Sequence, residues 1–285
     1  MALAYTKIKN CPKVFRNLFG IDVSLFDSII IKLRPLWKKN ITDTYKRPGR
    51  DYKYELEDYF LMLLMYYRNY VTYRFLAFIF DIDASRICRI VKTLEPLLVQ
   101  ITALKKERHL SEQETQNLIN FIIIDATEQA IERPKNPEIQ EIYYSGKKKQ
   151  HTFKTEIRTT LQGEIVYVSP SCEGSIHDFK LYKSGPSIDP NVHIFADSGY
   201  QGIDKIHEGS VDIPYKKQKN KILDEESKEY NRALSKIRVK VEHVIGHMKI
   251  FRILSYRYRN KRKRYEQKVN IIAGLTNMNH GFMVA

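Results

Sequence analysis

A chain of 285 residues with 43% hydrophobic and 28% charged residues is long enough to bury one sizeable core and a satellite, and has the balance of a folded protein rather than a disordered one. Its 48 basic against 33 acidic residues leave a formal charge of +15, which favours a polyanionic partner, either nucleic acid or an anionic membrane surface. The longest apolar run, Phe60 to Tyr67, is too short to span a bilayer, the first residues lack the apolar core of a secretory signal, and there is no lipidation motif. Nucleic acid is therefore the expected partner, with a merely solvated basic surface as the alternative and no membrane role. Cys11, Cys88 and Cys172 are scattered and form no CxxC pair, so neither a disulfide framework nor a zinc site is expected, and a reducing cytoplasm is the simplest setting.

The first 115 residues read as helical. Leu25, Ile29, Leu33 and Leu36 recur at helical spacing in a segment that Pro35 and Trp37 should close, and a basic, turn-rich stretch follows over 46–53. Leu56 to Tyr67 reads as a buried helix. Val71 to Phe80, a turn at Asp81–Asp83 and a helix from Ala84 to about Gln100 come next. In that last helix Ile87, Ile90, Val91, Leu94 and Leu98 form one apolar stripe, and Asp83 is placed to cap it. Two short helices joined by a tight turn, behind a third, have helix-turn-helix spacing over about 56–100. The outer face of the second carries Ser85, Arg86, Arg89 and Lys92, the arrangement of a helix that reads the major groove. An ordinary helical hairpin with a solvated basic face has the same pattern.

From Leu118 the texture changes. Phe121 to Ile124 has the make-up of a buried central strand. Thr155 to Leu161 and Glu164 to Ser169 flank Gln162-Gly163 as a hairpin. His177 to Lys183 reads as a short helix, Val192 to Ala196 as a strand, Val211 to Tyr215 as a fifth strand, and Glu225 to Lys249 as a long helix. Right-handed crossover rules make this an α/β domain over 116–285, a mixed sheet flanked by helices and ending in a basic segment.

Three carboxylates stand out. The first strand run ends in Asp125, the later one in Asp197, and open α/β sheets place their sites at such ends. Glu242 lies at the margin of the stripe Leu234, Ile237, Val241, Ile245 and Met248 on the long helix, so it can lean toward the sheet without entering the core. Clustered carboxylates repel one another, and oxygen ligands suit hard ions such as Mg²⁺ or Mn²⁺. Two such ions can activate a water or 3′-hydroxyl and stabilise the leaving oxygen of an in-line displacement. Taken singly, each acid has an ordinary reading as a cap, a turn former or a solvated charge. His243 and His247 stand four apart, but the acid precedes the first histidine, so the zincin order is absent.

The blocks Asp125-Ala-Thr-Glu128, Tyr144-Ser-Gly-Lys-Lys-Lys149 with His151-Thr152, Gly174-Ser-Ile-His-Asp178, Ala196-Asp-Ser-Gly-Tyr200 and Arg238-Val-Lys-Val-Glu-His243 with Gly246-His-Met-Lys249 occur in this order. Together they resemble the DDE transposases of the bacterial insertion-sequence-five group and its Harbinger-like relatives. The resemblance covers about residues 118–280, and the segment preceding it resembles that group's helix-turn-helix. It implies a ribonuclease-H-like fold, with Asp125, Asp197 and Glu242 as catalytic and metal-binding triad for two Mg²⁺ or Mn²⁺ ions. It also implies an enzyme that cuts and joins double-stranded DNA at element ends and target, working as a homodimer or higher assembly in the bacterial cytoplasm, on the nucleoid. The short spacing from Asp197 to Glu242 leaves no room for the large insertion domain of some relatives. His247 stands where the group often has Arg. Asp178 is expected to orient the site from outside the metal's own ligands.

Basic stripes supply the expected DNA contacts: Arg86, Arg89 and Lys92; Lys147, Lys148, Lys149 and His151; Lys216, Lys217, Lys219 and Lys221; Arg238 and Lys249; and Arg257 and Arg259 within the acid-free run to Arg264. Two further readings stay open: a domesticated copy that binds DNA without cutting it, and a nuclease of the same fold.

Overall fold

The computed structural model describes residues 3–44, 54–104, 120–217 and 223–284. The basic stretch 46–53, Lys219 and Lys221 lie outside them. The chain divides into two compact units, one of Met1–Ala103, Met248–Tyr256 and Asn260–Ala285, the other of Leu104–His247 and Arg257–Arg259.

The first unit is helical: α1 (Tyr5–Ile8), α2 (Pro12–Phe19), α3 (Val23–Trp37), α4 (Leu56–Asn69), α5 (Tyr73–Ile79) and α6 (Ala84–Ile101), joined from the far end of the chain by α10 (Tyr265–Asn279). Pro35 does not end α3, which continues to Trp37 and then widens into a π-turn over Lys38–Thr42. Proline removes one helical N–H, and the carbonyl it leaves bare belongs to Ile31, a residue 74% exposed, so water can serve it. The apolar run of α4 is buried on nearly every side. Thr72 Oγ1 accepts from the Phe75 amide at 3.2 Å at the start of α5. Asp83 caps α6 as expected, its Oδ1 accepting from the Ser85 amide at 2.7 Å, and Ile87, Ile90, Val91, Leu94 and Leu98 are all buried.

A buried ionic cluster ties α4, α6 and α10 together. Glu95 of α6, fully buried, meets Lys268 Nζ at 2.9 Å and Arg264 Nη1 at 3.2 Å, and accepts from the Tyr67 hydroxyl at 3.0 Å. Burial pulls the Lys268 ammonium below its ordinary range, and Glu95 opposes that pull. The helices approach closely where Gly274 faces Thr102, since a Cβ at Gly274 would stand 2.0 Å from the Thr102 carbonyl oxygen. Alanine normally improves a helix interior by up to about 1 kcal/mol over glycine. Here it must push two packed backbones apart, so Gly274→Ala is expected to destabilise the fold by about 2 kcal/mol, the scale of an overpacked core. Urea unfolding checks the sign, and a stabilised variant would contradict the packing.

The second unit is built on a seven-stranded sheet: β1 (Phe121–Ala130), β2 (Tyr144–Ser145), β3 (Gln150–Thr160), β4 (Ile165–Val168), β5 (Cys172–Glu173), β6 (His193–Ala196) and β7 (Val211–Asp212). Its order is β2-β3-β1-β6-β7, with β4 and β5 also paired to β3. β3 runs antiparallel to β1 and β4, whereas β6 is parallel to β1 and β7 to β6. Three antiparallel strands continued by two parallel ones, with helices packed on them, is the ribonuclease-H-like arrangement. The β3–β4 turn places Gly163 at φ +92°, a conformation that a side chain would strain.

The helices here are α7 (Pro137–Tyr143), α8 (Asp178–Ser184) and α9 (Glu225–Lys249). Ile122, Ile124, Ile194 and Ala196 pack on one sheet face with Tyr182 of α8, Tyr200 and Ile203. Three expectations about strands need correcting. β3 begins at Gln150 rather than at Thr155. β1 does not stop at Asp125 but stays paired to β3 as far as Ala130, and β7 is two residues long where five were expected. Polar side chains in Thr127–Gln129 conceal the continuation, because only the pairing with the buried Thr155, Lys154 and Phe153 of β3 shows that they belong to the sheet.

Candidate active site

The parallel register of β1 and β6 ends at Ile124 opposite Ala196. The next residue on each strand is Asp125 and Asp197, so the two acids stand side by side where the strands cease to pair. Being one step beyond a matched pair, both point to the same sheet face, opposite that of Ile124 and Ala196. The Asp125 backbone stays held by β3, opposite Ile157, and its Oδ1 accepts from the Ala126 amide at 2.8 Å. The chain after Asp197 turns away in a short 3₁₀ segment, Ser198–Tyr200.

The third acid arrives on α9. Leu234, Val241, Val244, Ile245 and Met248 are buried along this helix, and Glu242 beside them is exposed. One helical turn earlier Arg238 reaches the sheet, its Nη1 lying 3.4 Å from Asp197 Oδ1; the two side chains are 13% and 31% exposed. Burial pushes the Asp125 carboxyl up to about 6; its amide bond and the Arg238 charge pull it back, while the Asp197 and Glu242 charges add to the rise. Three carboxylates and one guanidinium thus share one electrostatic neighbourhood. As they stand, no three histidine, cysteine, aspartate or glutamate side chains among the described residues lie close enough to enclose a metal ion.

Beneath the acids lies a polar layer that sequence reasoning missed. Lys154, a few residues beyond the basic stripe that ends at His151, is buried; its Nζ donates to the Ile176 carbonyl at 2.6 Å and pairs with Asp178 Oδ1 at 2.9 Å. Asp178 opens α8, and its Oδ2 presses on the Asp197 turn, where a Cβ at Gly199 would stand 2.5 Å away. Glu156 and Arg158 form a buried pair at 2.8 Å, and the guanidinium lies over the rings of Tyr167 and Tyr182. Burial raises the Glu156 carboxyl and lifts the Tyr200 hydroxyl well above its usual range. The available signal was the alternation Lys154, Glu156, Arg158 along β3, which puts three charges on one face of a central strand.

The basic residues separate into inward and outward sets. Arg86, Arg89 and Lys92 are exposed on α6, with Arg89 Nη2 donating to Ser85 Oγ at 3.1 Å. Lys147, Lys148 and Lys149 are exposed on the β2–β3 turn, where Lys149 has φ +52°, and the half-buried His151 packs edge-on against Tyr144. Arg257 and Arg259 are exposed, and Lys249 is half-buried at the end of α9. Arg238, grouped with these in sequence, turns inward to Asp197. Among the described residues, no helix is long and apolar enough to cross a membrane.

A ribonuclease-H-like sheet bearing acids on adjacent strand ends and a third on the following helix defines a polynucleotidyl-transfer class of enzyme. Comparison with known proteins makes this specific. Residues 124–277 match the DDE superfamily endonucleases, and residues 53–103 match the helix-turn-helix of DDE superfamily endonuclease. The chain belongs to this DDE endonuclease family. It is 37% identical over 266 residues, 92% of this chain and 93% of the relative, to a probable transposase for insertion sequence element IS702 from Microchaete diplosiphon. It is 27% identical over 213 residues, 73% of this chain and 74% of the relative, to a putative transposase for insertion sequence element IS112 from Streptomyces albus G. No solved structure matches. The protein is accordingly a DNA-binding transposase with an endonuclease domain, and its family generally uses divalent metal ions.

Proposed function

We propose that Asp125, Asp197 and Glu242 are the triad with which this chain cuts the ends of an insertion sequence and joins them to target DNA. The observation that carries the reading is the strand register, which sets Asp125 beside Asp197 while α9 brings a third carboxylate into electrostatic range. The donor set fits a hard divalent ion: it supplies only carboxylate oxygens, and the strain on Asp125 is of the kind that a bound cation relieves. We infer Mg²⁺ or Mn²⁺, as a pair held by the three acids. Such ions, when bound, sharpen a water or 3′-hydroxyl as nucleophile and stabilise the departing oxygen.

The chain's own residues do the rest. β1 and β6 fix the two aspartates, and Asp178, pressed on Gly199 and anchored by Lys154, holds the Asp197 turn in place. Exposed Arg86, Arg89 and Lys92 on α6 are proposed to read the terminal repeats. Lys147, Lys148, Lys149, His151, Lys249, Arg257 and Arg259 are proposed to hold phosphates, and Arg238 to face the phosphate nearest the acids. Bringing two ends together requires a dimer or larger assembly on DNA, acting in the cytoplasm on the nucleoid. Domain limits of 1–115 for reading and 116–285 for catalysis are part of this proposal, although Met248–Tyr256 and Asn260–Ala285 pack with the helical unit.

The test is a labelled element end incubated with full-length protein, a target plasmid and Mg²⁺. A donor strand covalently joined to target is expected. Retarded DNA without products would favour a binding-only protein, and cut ends that never join would favour a nuclease.

A further inference from the structure

We propose that Arg238 is a built-in counter-cation, a positioning residue that holds Asp197 until a divalent ion displaces it. The inference rests on the site reading above. Asp125, Asp197 and Glu242 act on one another as like charges, and a site of that kind without a cation tends to splay or to take up protons. Among the described residues, the positive side chain paired with these acids is Arg238. Its Nη1 sits 3.4 Å from Asp197 Oδ1, with only 13% of the side chain exposed.

Two features suit it to temporary rather than permanent pairing. The contact is single and long, not the two-pronged clasp that guanidinium and carboxylate form when the pair is built to last. Moreover, the Arg238 Nε is buried with no hydrogen-bond acceptor among the described residues, so part of its donor fork is unspent. An ion coordinated by Asp197 would compete for the same oxygen, and the freed fork would be one helical turn from Glu242, placed to receive a phosphate. Arg238 is thus a placeholder before loading and an anion contact afterwards, which explains an inward-facing arginine in an enzyme whose other proposed DNA contacts face out.

The test uses the full-length protein without DNA. Mn²⁺ affinity is measured from the free-ion paramagnetic resonance signal, and metal-free thermal stability is measured in parallel. Arg238→Gln is expected to bind Mn²⁺ about five- to tenfold more tightly than wild type, the effect of removing a competing charge at an effectively solvent-screened 3–4 Å. It should melt several degrees lower without metal and match wild type once loaded. Arg238→Lys, which keeps the charge, should stay within about threefold of wild-type affinity on the same grounds. A residue that merely supported the fold would lower stability in both states and leave affinity unchanged or weaker, which overturns the proposal.

If Arg238→Gln does not fold, wild type still decides. The Arg238 ¹⁵Nε–¹H resonance, assigned by its loss in Arg238→Lys, should shift on titration with Mg²⁺ and not with Na⁺ at equal ionic strength. A resonance unmoved at saturating Mg²⁺ overturns the displacement. Failure of the site itself is distinguishable, because wild type would then bind Mn²⁺ no better than Asp125→Asn does.

Discussion

Asp197→Asn is expected to lower DNA strand cleavage by at least about 10³-fold while leaving retention of the element end within about twofold. Under the proposed role, loss of one metal-binding carboxylate removes several kcal/mol of transition-state charge stabilisation, and about 1.4 kcal/mol corresponds to each decade of rate. The amide is the same size and its oxygen can still accept from the charged Arg238, so the ion pair of 3.4 Å becomes a hydrogen bond to a neutral acceptor rather than a hole. Asp197 is 31% exposed at a strand end, which makes a large folding defect a poor explanation for lost activity. End binding is expected to survive because Arg86, Arg89 and Lys92, the proposed end contacts, belong to the helical unit, not to the unit of the sheet. Gel retardation and cleavage measured on one preparation separate the two effects. Cleavage within tenfold of wild type would remove Asp197 from the chemistry, and loss of retention would show that the variant had unfolded.

A second substitution should behave in the opposite way for stability. In EDTA at pH 8, Asp125→Asn is expected to be more stable than wild type by about 1–3 kcal/mol. The Asp125 carboxyl is pushed from 3.8 to about 6, chiefly by burial. A raised acid favours its protonated form in the folded state, so its stabilising contribution is full below pH 4 and is lost as pH rises through about 6. Above that, the folded protein carries a disfavoured charge, and two pKa units set an upper limit of roughly 3 kcal/mol. Asparagine is neutral throughout and can accept the Ala126 amide, the bond that Oδ1 now makes at 2.8 Å. The advantage should therefore shrink toward zero at pH 4, and should reverse when saturating divalent ion stabilises only the wild type. Denaturant unfolding across pH provides the measurement. A variant weaker than wild type at pH 8 in EDTA would mean that the carboxylate is not held under strain.

Both expectations concern residues that sequence already singled out, and the reason is physical. Apolar runs stopping at a carboxylate are visible in a string of letters, and a parallel register then aligns them. α6 was equally legible, because its cap at Asp83 and its 3.6-residue stripe are local. What escaped depends on partners far away in the chain. Thr127–Gln129 look like loop until β3 supplies buried partners. Lys154 and Arg238 look like members of basic runs, and charge alone does not say which cation faces in. Helix α10 passed unread because its polar residues are scattered round the helix, some of them buried, and its partners lie far back in the chain, as the buried pair of Lys268 and Glu95 illustrates.

That last feature bears on how such a protein can change over time. The helical unit is assembled from segments far apart in the chain, with Glu95 neutralised by Lys268 some 170 residues later. Exchanging only the first hundred codons with a relative would deliver a buried acid into a pocket tailored by another lineage. If α6 reads the ends as proposed, altering which DNA ends are recognised favours drift at its exposed positions over wholesale domain shuffling.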